Sequence, residues 1–161
     1  ENIALADAPE DVDPARLQAA VEDAALDTDL AGFPEGLDTI VGERGVTLSG
    51  GQRQRTALAR AFYRDFDLLL LDDVMSAVDH ATEKRLIDAL YRRAGAGTTL
   101  VVSHRISVLT RADRVLVFDG GKLVDVGTHA ELVLRPGPYA HAWKLQRAAE
   151  SIEQPGQVAH G

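Results

Sequence analysis

Three observations predict an α/β fold for this chain. Two aliphatic runs, residues 68–71 and 98–103, are too short for helices and too apolar for exposed loops. Amphipathic stretches at helical spacing flank them, and breaks containing Gly or Pro separate the two kinds of segment. Strands alternating with helices pack as a largely parallel sheet flanked by helices. A continuous run such as Leu68-Leu69-Leu70-Leu71 suits a strand buried on both faces of that sheet.

The elements follow in order. Asp13-Pro14 is a helix start, with an acid to cap and a Pro for the first turn, and Leu17, Ala20, Val21 and Ala24 form its apolar stripe. Gly32, Pro34 and Gly36 then make a loop. A helix is predicted over residues 49–64, burying Leu58, Ala61 and Phe62. After the strand at 68–71 comes a helix over 82–94, with Leu86, Ile87, Leu90 and Tyr91 inward, stopped by Gly95-Ala96-Gly97. The second strand is residues 98–103. A short helix (106–111) leads to a strand at 114–118, and Asp119-Gly120-Gly121 signals a hairpin into 122–126. Helices over 128–134 and 138–149 close the fold, the latter with Tyr139, Ala142, Trp143 and Gln146 on one face. The last ten residues read as a frayed tail, and no internal repeat is present.

Composition narrows the function. At 161 residues, 45% hydrophobic and 26% charged, the chain has the length and balance of one soluble globular domain. A net charge of −8 argues against a nucleic-acid surface, which needs a basic face. With no cysteine there are no disulfides or thiolate metal sites. No apolar run approaches the roughly 18 residues of a membrane span, and Glu1 opens no signal peptide.

Two motifs carry the chemistry. In Leu48-Ser49-Gly50-Gly51-Gln52, Ser49 stands where a helix begins and is a preferred cap. The two glycines carry no side chain, so their backbone N–H groups can closely approach a ligand. A helix amino end bears partial positive charge and unsatisfied donors, which makes it an anion site. Sixteen residues on, Leu68-Leu69-Leu70-Leu71 ends in Asp72-Asp73. The carboxyl edge of a parallel sheet is where α/β folds bind ligands, and an acid there can hold Mg²⁺.

In this order the two motifs resemble the signature and Walker B motifs of the ATP-binding-cassette (ABC) transporter family. The resemblance covers nearly the whole chain, from Glu1 to Gln146, and identifies it as the C-terminal part of an exporter-type nucleotide-binding domain. It implies ATP and Mg²⁺ as cofactors. Leu48, Ser49, Gly50, Gly51 and Gln52 then cap the γ-phosphate of ATP held by the opposite subunit. Val41-Gly42-Glu43-Arg44-Gly45 resembles the exporter X-loop, which touches the transmembrane domains; a plain glycine-containing loop is the alternative. Asp72 takes the place of the magnesium residue. Ser76-Ala77-Val78-Asp79 resembles the D-loop at the dimer interface, with Ser76 and Asp79 near nucleotide, although Asp79 as a simple helix cap explains the same residues. His104, in Val101-Val102-Ser103-His104-Arg105, takes the place of the switch histidine, whose neutral imidazole both donates and accepts. His80, His129, His141 and His160 show no metal-ligand spacing. Arg53, Arg55, Arg60 and Arg64 on the signature helix are expected to be solvated or paired within the domain.

Asp73 departs from the family pattern. It stands where active cassettes carry a glutamate that serves as general base. Aspartate is one methylene shorter, so its carboxylate retreats by roughly 1–1.5 Å. A general base must lie within about 2.6–3.2 Å of the proton it takes. The ATP site built on this Walker B is therefore expected to be slow or inactive. That pattern suits the degenerate subunit of a heterodimer; a homodimer with two slow sites is the alternative.

The sequence contains no phosphate loop of its own. The Walker A pattern G-x-x-x-x-G-K-[ST] fails at the only Gly-Lys pair, Gly121-Lys122, because position 116 is Leu. Gly45 and Gly50 have the right separation, but Gly51 stands where Lys is required. Glu1-Asn2-Ile3-Ala4 resembles the segment just after the Q-loop. The expected organisation is a helical signature subdomain over residues 1–66, the C-terminal half of the P-loop NTPase core over 67–150, and a tail over 151–161. The expected partners are a second nucleotide-binding domain, the transmembrane domains, and the N-terminal half of its own domain, with no nucleic acid. The expected location is the cytoplasmic membrane face for the parent and the cytosol for the fragment, which by itself is expected to be inactive. Chromosome-maintenance and break-repair ATPases of the same superfamily, and a non-catalytic interaction fragment, are the other readings. In the family's sheet the Walker A strand lies between residues 98–103 and 114–118. Without it, those two strands are expected either to pair with each other or to associate with another chain.

Overall fold

A computed structural model of the chain describes residues 2–5, 7–42, 45–75 and 78–153. The fold is mixed α/β with small sheets and flanking helices, and it divides into two units, residues 1–102 and 103–161.

The first unit opens with helix α1 (Pro14–Asp23), whose cap Asp13 accepts from the amides of Ala15 (2.9 Å) and Arg16 (3.1 Å). After one helical turn, α2 (Asp27–Leu30), and an irregular stretch comes α3 (Gly50–Tyr63). It buries Leu58, Ala59, Phe62 and Tyr63 and packs against α1, which contributes buried Ala20 and Val21. Strand β1 (Leu68–Asp72), helix α4 (His80–Arg93) and strand β2 (Thr98–Val102) complete the unit. The two strands pair parallel and in register, Leu68 with Thr98 through Asp72 with Val102. Helix α4 starts two residues before the expected position because Asp79 caps it, accepting from the Thr82 amide at 2.9 Å.

Gly97 is required by a close approach. A Cβ there would lie 2.5 Å from the Phe66 carbonyl oxygen, so the chain entering β2 can pass the chain entering β1 only without a side chain. Arg93 ties three helices together. Its guanidinium pairs with Asp23 at 2.6 Å, donates to the Phe62 carbonyl at the end of α3 at 2.7 Å, and lies over the Phe62 ring. Both partners of the ion pair are about one-fifth exposed, so water screens it only partly. Arg93→Ala is expected to lower stability by about 2–3 kcal/mol, since it removes charge-assisted hydrogen bonds from half-buried partners. Urea unfolding measures this, and a loss below about 0.5 kcal/mol would class the pair with ordinary surface ion pairs.

The strands are not buried on both faces as expected. Leu69 and Leu71 are buried, while Leu68 and Leu70 are more than 60% exposed; Leu100 and Val102 of β2 share the open face. Alternate side chains of a strand point to opposite faces, and only one face of this two-stranded sheet is covered by described residues.

The second unit contains a 3₁₀ turn (Ile106–Leu109), the hairpin β3 (Val115–Asp119) and β4 (Lys122–Gly127), the short helix α5 (His129–Leu132) and the long helix α6 (Pro138–Glu153). Gly120 and Gly121 form a two-residue turn in which both have positive φ, the conformation such hairpins need. The core is Ile106, Val115, Val117, Leu132 and Tyr139, with Ala142 and Trp143 packed on it. The segments expected as helices over 106–111 and 128–134 are shorter than that. Pro136 disfavours helical backbone at Arg135, and Leu134 is 84% exposed, so nothing rewards another turn.

The four strands make two separate sheets, β1 with β2 and β3 with β4. Among the described residues the strands at 98–103 and 114–118 each pair within their own unit and not with each other; association with another chain is the other expected outcome. Each keeps one edge without a strand partner among the described residues.

Candidate functional site

The amino end of α3 is the most distinctive feature. Ser49 is extended (φ −63°, ψ 167°) and closes a reciprocal capping box. Its hydroxyl accepts from the Gln52 amide at 3.2 Å, and its own amide donates to Gln52 Oε1 at 2.9 Å. Two of the unsatisfied donors of a helix start are thereby used. The amides of Gly50 and Gly51 have no acceptor among the described residues. Ser49 and Gly50 are exposed, and a Cβ built on Gly50 meets nothing within 4 Å. Two adjacent N–H groups without an acceptor among the described residues thus lie at the positive end of a helix beside open space at Gly50, a geometry suited to an anion.

The rest of the pentapeptide is braced from behind. Gln52 Nε2 donates to Asp29 Oδ1 at 3.3 Å, and Arg55 makes a two-pronged bond to the same carboxylate at 2.8 and 2.9 Å. Arg53 donates to the Leu48 carbonyl at 2.7 Å. Gln52 is therefore committed at both ends of its amide and supports the cap, while Leu48 is half-buried. Arg60 donates to the Asn2 carbonyl, and Arg64 pairs with Asp7 at 2.7 Å. The arginines of this helix serve pairing within the unit, as expected. Asp7 also accepts from the Tyr63 hydroxyl at 2.8 Å, which holds its carboxyl below the usual range and pushes the phenol up.

At the carboxyl end of β1 the two acids differ. Asp72 is exposed, and its carboxylate has no partner among the described residues. Asp73 is half-buried with a left-handed backbone (φ 47°), and its amide donates to the Val102 carbonyl at 2.9 Å. The hydrogen bond extends the β1–β2 ladder by one rung, and the positive φ then turns the chain sharply off the strand. No group of three or more potential metal-ligating side chains occurs among the described residues. One free carboxylate at the sheet edge fits Mg²⁺, which keeps several waters and takes the rest of its ligands from phosphates.

Asp79 is the cap of α4. Its carboxylate accepts from the Thr82 amide at 2.9 Å and the Thr82 hydroxyl at 2.8 Å, and these bonds hold its pKa below the ordinary value. Ser76 lies outside the described residues, as do Glu43 and Arg44 of the loop before α3. In that loop Val41 bridges to Val46, and Gly42 has φ 117°. Beside it is a cavity of 480 Å³ lined by Ile40, Val41, Phe33, Leu48, Ile3 and their neighbours.

His104 belongs to the second unit, at the end of the segment leading from β2. It is exposed, and its imidazole has no partner among the described residues. Its backbone is held from a distance: Gln146 Nε2 donates to the His104 carbonyl at 2.6 Å, and Gln146 Oε1 accepts from the Ile106 amide at 2.9 Å. Ser103 Oγ accepts from the Arg105 amide at 3.0 Å. Sequence reasoning placed Gln146 on the apolar face of its helix without a task. One polar residue among Tyr139, Ala142 and Trp143 was the available signal. His129 is structural, with Nδ1 2.9 Å from the Tyr139 hydroxyl and its ring edge-on to Trp143.

Known proteins resemble this chain in sequence and fold. Residues 4–76 match the family model described as ABC transporter. The chain is 48% identical over 145 residues to the ATP-dependent lipid A-core flippase of Burkholderia orbicola (strain AU 1054), covering 90% of this chain and 24% of that protein. It is 47% identical to the flippase of the same name from Alkalilimnicola ehrlichii (strain ATCC BAA-1101 / DSM 17681 / MLHE-1), covering 82% of this chain and 22% of that one. Among solved structures, a bacterial Atm1-family ABC exporter with ATP bound superposes with a TM-score of 0.80 at 38% identity, covering 91% of this chain and 25% of that one. The chain thus spans about a quarter of the length of these relatives.

Proposed function

We propose, from the premise that this chain belongs to the ABC transporter family, that it supplies one face of a composite ATP site in a membrane exporter. The observation that carries the proposal is the pair of glycine amides at the amino end of α3 that have no acceptor among the described residues. Such donors suit the terminal phosphate of a nucleotide held by a neighbouring cassette. With Ser49 and Gln52 satisfying each other, the cap is preorganised and pays little ordering entropy on binding.

Mg²⁺ would neutralise phosphate charge at Asp72, whose free carboxylate suits that ion. Asp73 would take a proton from the attacking water with a carboxylate held one methylene back. Together with the intact signature, this supports a slow site on this chain that completes a competent one on its partner, hence a heterodimer. The isolated chain, which has no Walker A pattern, is proposed to be inactive in ATP hydrolysis. The exposed apolar residues of β1–β2 (Leu68, Leu70, Leu100, Val102) and of the hairpin (Phe118, Leu123) are proposed to pack against the N-terminal half of the domain. The cavity beside Val41 is proposed to seat a transmembrane-domain segment on the cytoplasmic side. Among the described residues no helix is long and apolar enough to cross a membrane. The boundary between the helical signature subdomain and the ATPase core is proposed to fall near residues 66–67.

The test is proximity. Because this stretch has no native cysteine, Ser49→Cys offers a single thiol. In the full-length exporter it is expected to crosslink to a cysteine in the second cassette's phosphate loop when Mg-ATP is present and not in its absence. Crosslinking that ignores nucleotide would remove the composite site.

A further inference from the structure

The His104 loop is held by a side chain forty residues away. Gln146, on α6, spans that loop with both ends of one amide, donating to the His104 carbonyl at 2.6 Å and accepting from the Ile106 amide at 2.9 Å. The imidazole itself is exposed and has no partner among the described residues. No described residue grips the ring, so its direction is set by the backbone that carries it.

Two other side chains restrain that backbone: Ile106, buried in the unit's core, and Ser103 through its hydroxyl. The Ser103 hydroxyl accepts from the Arg105 amide and donates to the Arg105 carbonyl at 3.3 Å, which closes a local turn. Gln146 adds a polar anchor on the His104 side of the turn. It sits on the face of α6 that carries Tyr139 and Trp143, and Tyr139 belongs to the buried core. Rigid packing of the helix is thereby transmitted to the loop through two hydrogen bonds of opposite sense. A glutamine is suited to this because its planar amide both donates and accepts.

We infer that Gln146 is a positioning residue for His104: it fixes the loop so that the imidazole faces nucleotide. The inference rests on the proposed role of His104 at the ATP site. It adds that the C-terminal helix, through one amide, controls whether the histidine is presented. Movement of α6 relative to the loop would withdraw it.

Histidine carbethoxylation by diethyl pyrocarbonate, read residue by residue by mass spectrometry in the full-length exporter, tests this. In the unmodified protein, Mg-ATPγS is expected to protect His104 and leave His129 at its slow, unchanged rate. Gln146→Leu removes both hydrogen bonds. Gln146→Glu keeps the size and the acceptance from Ile106 but, when ionised, cannot donate to the His104 carbonyl. Both variants are expected to lose nucleotide protection at His104 with His129 unaltered. If either variant keeps that protection while His129 stays slow, the inference is overturned. If His129 becomes reactive in Gln146→Leu, that variant has lost its fold and Gln146→Glu alone decides. Absence of protection in the unmodified protein would instead reject the role of His104 at the nucleotide, a distinct failure that removes the positioning role with it.

Discussion

Asp73→Glu is expected to raise ATP hydrolysis at the site built on this chain's acidic pair by about 10- to 100-fold, the range over which roughly 1 Å of misplacement is felt. The structure sharpens the reason. Asp73 is anchored through its amide to the Val102 carbonyl, so its backbone cannot slide forward to make up for the short side chain. The missing methylene translates directly into distance. A second consequence follows from its positive φ of 47°. Asp tolerates the left-handed region better than Glu, because its short polar side chain can bond locally. The substitution therefore carries a strain of about 1–2 kcal/mol, visible as lower stability. Higher rate and lower stability are expected together. The assay is ATP turnover by the full-length exporter with the partner cassette's catalytic glutamate replaced, so that only this site is read. An unchanged rate would mean that base position does not limit this site, and the degenerate-site reading would fall.

Gly50→Asp should separate binding from folding with opposite signs. At the first position of α3 an acidic side chain is favourable to the helix by about 0.3–1 kcal/mol, because it faces the positive end of the dipole. The site has room, since a Cβ there meets nothing within 4 Å. Stability should hold or rise slightly. The same carboxylate would stand in front of the two free amides and repel a phosphate. ATP hydrolysis at the partner's site is expected to fall by about 100-fold or more, comparable to loss of a preorganised oxyanion donor. Thermal unfolding and ATPase rate on the same protein make the comparison. Activity retained with a bound carboxylate would show that the anion does not sit at this helix end. Stability lost instead would show that Gly50 is kept for folding.

Local order was written in the chain. The caps at Asp13, Ser49 and Asp79, the Gly120-Gly121 turn and the aliphatic runs gave helices and strands close to where they lie, because each depends on residues only a few positions apart. The Ser49-Gly50-Gly51 and Asp72-Asp73 pairs were legible for the same reason: a helix start and a strand end are short-range features. Boundaries were less so where packing decides them, as at the single turn of α5, cut short before Pro136.

Contacts between distant residues were not legible. The chain order cannot say that Asp29 braces both Gln52 and Arg55, that Arg93 closes the end of α3, or that Gln146 holds the loop of His104. Each is a polar side chain whose partner is chosen by the three-dimensional path of the backbone. Strand burial belongs with them. Leucine at four successive positions reads as a fully buried strand, yet Leu68 and Leu70 face outward. Hydrophobicity records what a surface requires, whereas its cover depends on which elements come to lie beside it.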